Sequence, residues 1–483
     1  MSNRLDKYYK LLRLKKRWIS NWLALPLRKD KVFTLNNSAI KSYQFTRHSG
    51  PEQDICYAPS RSIYFGFEGI VVPCCFNRDY IYGIYPKNSV KEIIESGQRS
   101  FLQNHLKTQD FSHGCKHCLN LIESYNFQGV EARLYDGLKH NKNNYPSEMI
   151  FELDNTCNLE CLMCEGKFSS SILKNRDKKQ YQPGPYDKEF VNQLIPYLKH
   201  LEVAKFLGGE PFLINLYYNI WDEIIKCNKA CTINLQTNGT VFNDKIASLL
   251  ERGKFQIGIS IDSLKKERFE KIRKNANFEQ VLKNLDKFID YSHRHNTFVN
   301  LSVCPMKQNR DEIPEIVKFC NNKGIFVYFN TVYTKSYNLR ELSSGELLNL
   351  LKNYKSVHLK SKSYISKRNI SFFKSLISQI EDWYKQKKDE EIFNEKRLPY
   401  NKDKLLKLFV GNLTYNDTLL IEKINEALNE LPDNEIFLSD AQISLLQRVN
   451  KYEFTNGIKN ECIESIRLRL NNFLENCSLA LPE

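Results

Sequence analysis

The sequence predicts an α/β protein. Its centre is a partial barrel of six strand–helix units, with a small cysteine-rich unit before it and a mostly helical segment after it. Three observations carry this. Over residues 149–332, strand-like apolar runs alternate with helix-like segments, and parallel strands need such crossovers. Short motifs of glycine and small polar residues follow successive strands, where α/β barrels place function. Beyond residue 340 these motifs and the paired cysteines stop, and helical periodicity takes over. With 483 residues the chain is long enough for several domains, and 41% hydrophobic and 26% charged residues are ordinary for a soluble protein.

Residues 1–50 form a basic arm. They hold twelve Lys and Arg against Asp6 and Asp30, which is ten of the net fifteen positive charges. Residues 5–25, with Trp18 and Trp22, read either as an amphipathic helix for an anionic surface or as a helix packed by its Leu and Trp face. Because the charge is concentrated there, it says little about an active site. The opening MSNRLDKYYKLLRLKKRW is too charged for a signal peptide, and no run reaches the roughly 18–20 apolar residues of a membrane span. A cytoplasmic protein is expected.

Residues 51–130 make the cysteine-rich unit. Residues 62–67 and 70–72 flank Glu68-Gly69, a hairpin signal, and 90–106 reads as a helix before Cys115-Lys116-His117-Cys118. A polar, turn-rich linker follows at 140–146. The core spans 145–335. Its strands are expected at 149–153, 203–207, 231–236, 255–261, 298–303 and 326–332. Its helices are expected at 187–201, 216–227, 243–251, 278–293 and 311–322. Residues 340–483 form a helical domain with periodic stretches at 441–449 and 461–474, and 385–404 reads as a charged, solvated connection.

Fourteen cysteines in a reducing compartment suggest metal rather than disulfides where they group. One group is Cys56, Cys74, Cys75, Cys115 and Cys118; the other is Cys157, Cys161 and Cys164, spaced Cys-x3-Cys-x2-Cys. The other six read as small buried hydrophobes. Three thiolates on a four-iron cube leave one iron open, which suits chemistry more than scaffolding. The alternative is zinc with a distant fourth ligand. Gly208-Gly209-Glu210-Pro211, Thr237-Asn238-Gly239-Thr240 and Ser260-Ile261-Asp262-Ser263 follow strands two, three and four, as the trio follows strand one. Each is a weak signal alone. In series at equivalent strand ends they point to one site.

With these motifs, residues 149–332 resemble the radical S-adenosylmethionine (SAM) enzymes, whose core is a partial (β/α)6 barrel. The resemblance implies a [4Fe–4S] cluster on Cys157, Cys161 and Cys164, with SAM on the open iron. Reductive cleavage of SAM would give a 5′-deoxyadenosyl radical that takes a hydrogen atom from substrate. It also implies that Gly208, Gly209 and Glu210 meet the SAM amino group, Glu210 by supporting the backbone. Thr237 and Asn238 would flank the methionine moiety. Ser260 and Asp262 would serve the ribose or carboxylate region. Met163 stands where many relatives carry an aromatic ring near the adenine. Residues 56–118 resemble the SPASM/twitch auxiliary-cluster module, which implies a second [4Fe–4S] cluster on Cys56, Cys74, Cys115 and Cys118, with Cys75 the substitute for Cys74. Structural zinc is the alternative there. In most relatives this module follows the radical domain; here it precedes it.

The expected function is therefore hydrogen abstraction from a peptide or small molecule, in an oxidation with the auxiliary cluster as electron acceptor. A flavodoxin- or ferredoxin-type reductant is the implied partner. The competing readings are a non-catalytic iron–sulfur carrier and an RNA-modifying radical enzyme. Intact glycine and serine motifs argue against the first, and the absence of a recognised RNA module argues against the second. Tyr328, Asn330, Tyr333 and Cys304 lie near strand ends, with core or turn packing the simpler role for each.

Overall fold

Alternation of apolar and polar residues along the strands, as in Thr232–Thr237 (TINLQT), gives the sheet two different faces. The computed structural model describes residues 38–47, 50, 52, 54–123, 127–395, 398–400, 402–411, 413, 418–430, 436–438, 443, 455, 459 and 461–476. The stretch 5–25 expected as a helix lies outside these residues, as does all but one position of 441–449. The described residues fall into two compact units. One runs to Glu341 and includes Asn353–Ile377; the other comprises Leu342–Lys352 and the chain from Ser378.

The first unit holds eleven strands: β1 (Ser62–Phe65), β2 (Ile70–Val72), β3 (Gly83–Ile84), β4 (Glu148–Phe151), β5 (Glu160–Cys161), β6 (Val203–Phe206), β7 (Thr232–Thr237), β8 (Phe255–Ser260), β9 (Arg273–Lys274), β10 (Val299–Val303) and β11 (Phe326–Phe329). Nine form one sheet in the order β11-β10-β8-β7-β6-β4-β1-β2-β3. From β11 to β1 every neighbour is parallel. The six expected strands are present, with helices between them, as a partial barrel requires.

Helices cover one face. Lys188–Leu198, Asp244–Arg252 and Phe278–Arg294 start where Asp187, Asn243 and Asn277 accept a hydrogen bond from the backbone N–H three residues on. Ile313–Lys323 starts with Pro314 in its first turn and ends at Gly324, whose φ of 68° is the left-handed conformation of a helix stop. Trp221 on Asn215–Cys227 is fully buried, its ring centroid 5.4 Å from Phe206 and 6.1 Å from Phe255.

The other face is polar over β7, β8 and β10, and carries an apolar cluster of Tyr64, Val72 and Ile150 at β1, β2 and β4. The parallel register aligns Lys205 with Asn234, Asn234 with Gln256, and Ser260 with Ser302. Gln236 donates to Ser260 Oγ (2.8 Å) and accepts from Ser302 Oγ (2.7 Å). Gly258 lies between them in the sheet, and a Cβ there would stand 2.3 Å from Gln236 Oε1. This part of the barrel interior is thus a hydrogen-bonding wall.

Three features differ from the sequence-based expectation. The cysteine-rich unit shares the core's sheet: β1 pairs with β4, Ser62 opposite Glu148 through Phe65 opposite Phe151. Stacked Phe65 and Phe151 rings, 5.6 Å apart, bury that seam. The helix expected over 90–106 is two, Val90–Ile94 and Gly97–Lys107, because the backbone leaves the helical conformation at Glu95 and Ser96, the latter extended. The charged stretch 385–404 begins as helix, within Tyr364–Glu395.

In the second unit, Lys402–Val410, Thr418–Asn429 and Ile463–Asn476 pack around Leu405, Phe409, Leu420, Ile424, Leu428, Ile466 and Leu470. The same unit holds a short antiparallel pair, Leu398–Tyr400 with Ile436–Leu438.

Candidate functional site

The trio occupies the loop that leaves β4, and backbone and side-chain bonds fix it on three sides. Ser171 Oγ donates to the Cys157 carbonyl (2.7 Å), and the Cys157 N–H donates to Ser170 Oγ (3.1 Å). β5, which contains Cys161, pairs antiparallel with β9 from the segment after β8. Glu160 braces this pairing by accepting from Lys274 Nζ, Asn175 Nδ2 and Asn275 Nδ2 at 2.8–2.9 Å. Neither short strand has a clear sequence signal, since two residues are too few for a period.

The glycine motif packs against this loop. Gly208 and Gly209 have φ of 80° and 41°. A Cβ on Gly208 would lie 2.7 Å from Asp154 O, and one on Gly209 would lie 2.2 Å from Thr156 O. Close approach to the cysteine loop therefore demands these glycines. Glu210 is fully buried. Its carboxylate accepts from Phe212 N–H (3.2 Å), Thr237 Oγ1–H (2.7 Å) and Asn238 N–H (2.6 Å). Burial pushes its carboxyl up to about 7, against the lowering effect of these donors. Glu210 thus ties the second motif to the third.

Asn238 continues the chain of contacts. Its Nδ2 donates to Asn158 Oδ1 (2.9 Å) and lies 3.9 Å from Cys157 Sγ, while its Oδ1 accepts from Thr240 N–H and Oγ1. Ser260 sits on the polar interior face. Asp262, also fully buried, accepts from Cys304 N–H (2.7 Å) and pairs with Arg273 at 2.8 Å. Met163 lies in an apolar patch with Ile272, Met306 and Val332, close to Leu162 and Cys304.

Arg273 is a site residue that sequence reasoning missed. Its Nη1 lies 3.7 Å from Cys161 Sγ, its Nη2 holds Asp262, and its buried Nε has no partner. The available signal was an arginine eleven residues after Asp262, invisible without the β5–β9 pairing. Tyr328 packs on Phe372 and Tyr333 is exposed, while Cys304 is half-buried near Asp262, Arg273 and the trio.

A second set of thiols surrounds a cavity lined by Cys56, Cys74, Cys115, Cys118, Leu102, Phe111 and Tyr135, among others. N–H donors point at its sulfurs: Ala58 to Cys56 (3.3 Å), Asn77 backbone to Cys74 (3.4 Å) and Asn77 Nδ2 to Cys115 (3.3 Å). Gly114, with φ of 76°, leaves room for Asn77, which a Cβ there would meet at 2.1 Å. Cys75 does not line this cavity. It packs beside Tyr64, Val72 and Ile150, on the barrel side.

Burial raises the pKa of every one of these cysteines, Cys157 and Cys115 to about 11 and Cys164 and Cys118 to about 12. Cys56, Cys74 and Cys161 shift the same way for the same reason. Buried thiols of this kind ionise when a metal supplies the opposing charge. The N–H···S donors around Cys56, Cys74 and Cys115 suit thiolate ligands.

Comparison with known proteins agrees with this chemistry. Residues 152–320 match the radical SAM superfamily, and residues 56–119 match the SPASM iron–sulfur cluster-binding domain, which here precedes the radical SAM domain. GTP 3′,8-cyclase of Clostridium perfringens (strain SM101 / Type A) is 24% identical over 213 residues, 42% of this chain and 62% of the relative. A probable GTP 3′,8-cyclase of Methanocaldococcus jannaschii is 28% identical over 176 residues, 36% of this chain and 54% of the relative. The chain thus spans less than two thirds of these relatives' length. The solved structure of native anSMEcpe with bound AdoMet covers 43% of this chain and 60% of its own, at 22% identity and a TM-score of 0.35. Streptococcus suis SuiB bound to S-adenosylmethionine covers 53% and 60%, at 16% identity and a TM-score of 0.33. The two matched domains imply a [4Fe–4S] cluster with SAM and an auxiliary iron–sulfur cluster.

Proposed function

We propose that this chain, which carries a SPASM domain followed by a radical SAM domain, is a radical SAM enzyme that oxidises a polar substrate held inside its barrel. Cys157, Cys161 and Cys164 would hold the SAM-binding cluster, and Cys56, Cys74, Cys115 and Cys118 the auxiliary one. When bound, these groups supply a radical that takes a hydrogen atom from substrate and an acceptor for the second electron. The protein's own side chains bind, orient and shield.

The polar interior between the two cysteine sites carries the proposal. The trio follows the carboxyl end of β4. β2 runs antiparallel to β1, so Cys74 emerges at the opposite end of the same sheet. Between those ends stand Lys205, paired with Glu148 at 2.7 Å, and Arg78, bonded to Glu152 and Tyr64. Gln236, Ser260 and Ser302 continue the wall. Asn234 Oδ1 is buried there without a partner, a position that a ligand's donor would satisfy. Such a wall suits a hydrogen-bonding small molecule or a peptide side chain, whose apolar part the cluster of Tyr64, Val72 and Ile150 would meet. No helix among the described residues is long and apolar enough to cross a membrane. A flavodoxin- or ferredoxin-type protein in the cytoplasm would supply the first electron.

Electron paramagnetic resonance on the anaerobically reconstituted, reduced protein tests this. Two cluster signals are expected, of which SAM perturbs one. The SAM-sensitive signal should persist in Cys74→Ser and vanish in Cys157→Ala. A fully reconstituted protein with no SAM-responsive signal would refute the assignment.

A further inference from the structure

Helix Gly97–Lys107 ends beside a short loop that leads into Cys115, and three ligand-type side chains meet there. His105, Asp110 and His113 each offer a donor atom, all within 4.8 Å of one another. His105 Nδ1 lies 2.7 Å from Asp110 Oδ2, and His113 Nε2 lies 3.7 Å from the same oxygen. We propose that His105, Asp110 and His113 form a site for a divalent transition metal of the zinc class, separate from both cysteine sites.

A simple hydrogen bond accounts for His105 and Asp110. It does not include His113, whose Nε2 faces the same oxygen from 3.7 Å. A bound cation accounts for all three. Zinc bonds to nitrogen and oxygen of about 2.0–2.1 Å place neighbouring ligands about 3.3 Å apart in a tetrahedron, between the two observed separations. Two imidazoles and a carboxylate form a borderline-soft donor set that suits zinc and its first-row neighbours over calcium or magnesium.

The surroundings orient these groups. Asp110 Oδ1 accepts the Ser112 N–H at 2.8 Å, which leaves Oδ2 for the cation. The imidazole rings lie 4.6 Å apart at 83°, edge to face rather than stacked. Phe101 packs on both, at 4.0 Å from His105 and 5.1 Å from His113, and Tyr80 packs on His113 at 5.7 Å. Each ligand side chain is about one third exposed, which gives an entry path and leaves further coordination positions to solvent.

The site also has a use. The His113 carbonyl accepts from Asn77 Nδ2, the group that reaches Cys115 Sγ. A cation held by His105, Asp110 and His113 closes the loop between the helix end and that cysteine. It would brace the auxiliary cavity without entering it.

The test uses the full-length, anaerobically reconstituted protein, incubated with zinc sulfate and desalted. Metal analysis should find about one zinc per chain in addition to iron. His105→Gln/His113→Gln should lose the zinc and keep its iron, and the retained iron reports that this variant is folded. X-ray absorption at the zinc edge separates the site from zinc in vacant thiolate positions. Nitrogen and oxygen scatterers at about 2.0–2.1 Å are expected, with none at the 2.3 Å of a zinc–sulfur bond. Sulfur scatterers, equal zinc in the double variant, or no retained zinc in the wild type would each overturn the proposal. If the double variant loses its iron as well, absorption on the wild type decides.

Discussion

Replacing Glu210 by alanine strips three buried donors of their acceptor at once. Phe212 N–H, Thr237 Oγ1–H and Asn238 N–H all end on this carboxylate, and no water-exposed surface lies nearby to replace it, since Glu210 is 0% exposed. Leaving a buried donor unsatisfied costs about 1–3 kcal/mol. Partial relaxation would hold the total for three to about 3–6 kcal/mol. At roughly 2 °C per kcal/mol for a large domain, the melting temperature should fall by about 6–12 °C. Thermal unfolding by circular dichroism measures this. Affinity for SAM should fall too, because the same carboxylate holds Asn238 beside Cys157. A variant that melts within about 2 °C of the wild type would refute the view that Glu210 clamps the second motif to the third.

Glu210 also gives stability a pH dependence. Its folded carboxyl sits at about 7, above the ordinary 4.5, so the folded state keeps a proton that the unfolded state has released between those values. Stability should therefore fall as pH rises through this window, by up to about 3 kcal/mol, and Glu210→Gln should flatten the fall; denaturant unfolding at pH 4.5, 6 and 7.5 checks it. Gly209→Ala places a Cβ 2.2 Å from Thr156 O at a φ of 41°, and we expect more than about 2 kcal/mol of destabilisation with loss of iron at the trio, measured by iron analysis. Cys74→Ser should drop iron from about eight to about four per chain, whereas Cys75→Ser should keep about eight, because only Cys74 lines the auxiliary cavity. Equal losses in the two variants would contradict the choice of Cys74.

Long periodic elements and local motifs were legible in the sequence, and contacts between distant segments were not. The six core strands and their helices follow from alternation and caps, as at Asn243 and Asn277. The grouping of cysteines was legible from spacing. The choice between Cys74 and Cys75 needed the cavity, which Cys74 lines while Cys75 packs beside Tyr64, Val72 and Ile150. Pairing of β1 with β4 joins residues more than eighty positions apart, which no local pattern encodes. Arg273 was missed for the same reason, since β9 becomes meaningful only when it lies against Cys161. A steric role of Gly208 and Gly209, making room for the cysteine loop's own backbone, was not legible, because it depends on the packing of two segments distant in sequence.

The central claim is that the cysteine trio supports SAM cleavage. Anaerobic reconstitution with iron and sulfide, reduction by dithionite and addition of SAM, followed by chromatography for 5′-deoxyadenosine, tests it most directly. The account predicts 5′-deoxyadenosine from the wild type and none from Cys157→Ala. No product from wild-type protein with its full complement of iron, or equal product from the variant, would contradict it.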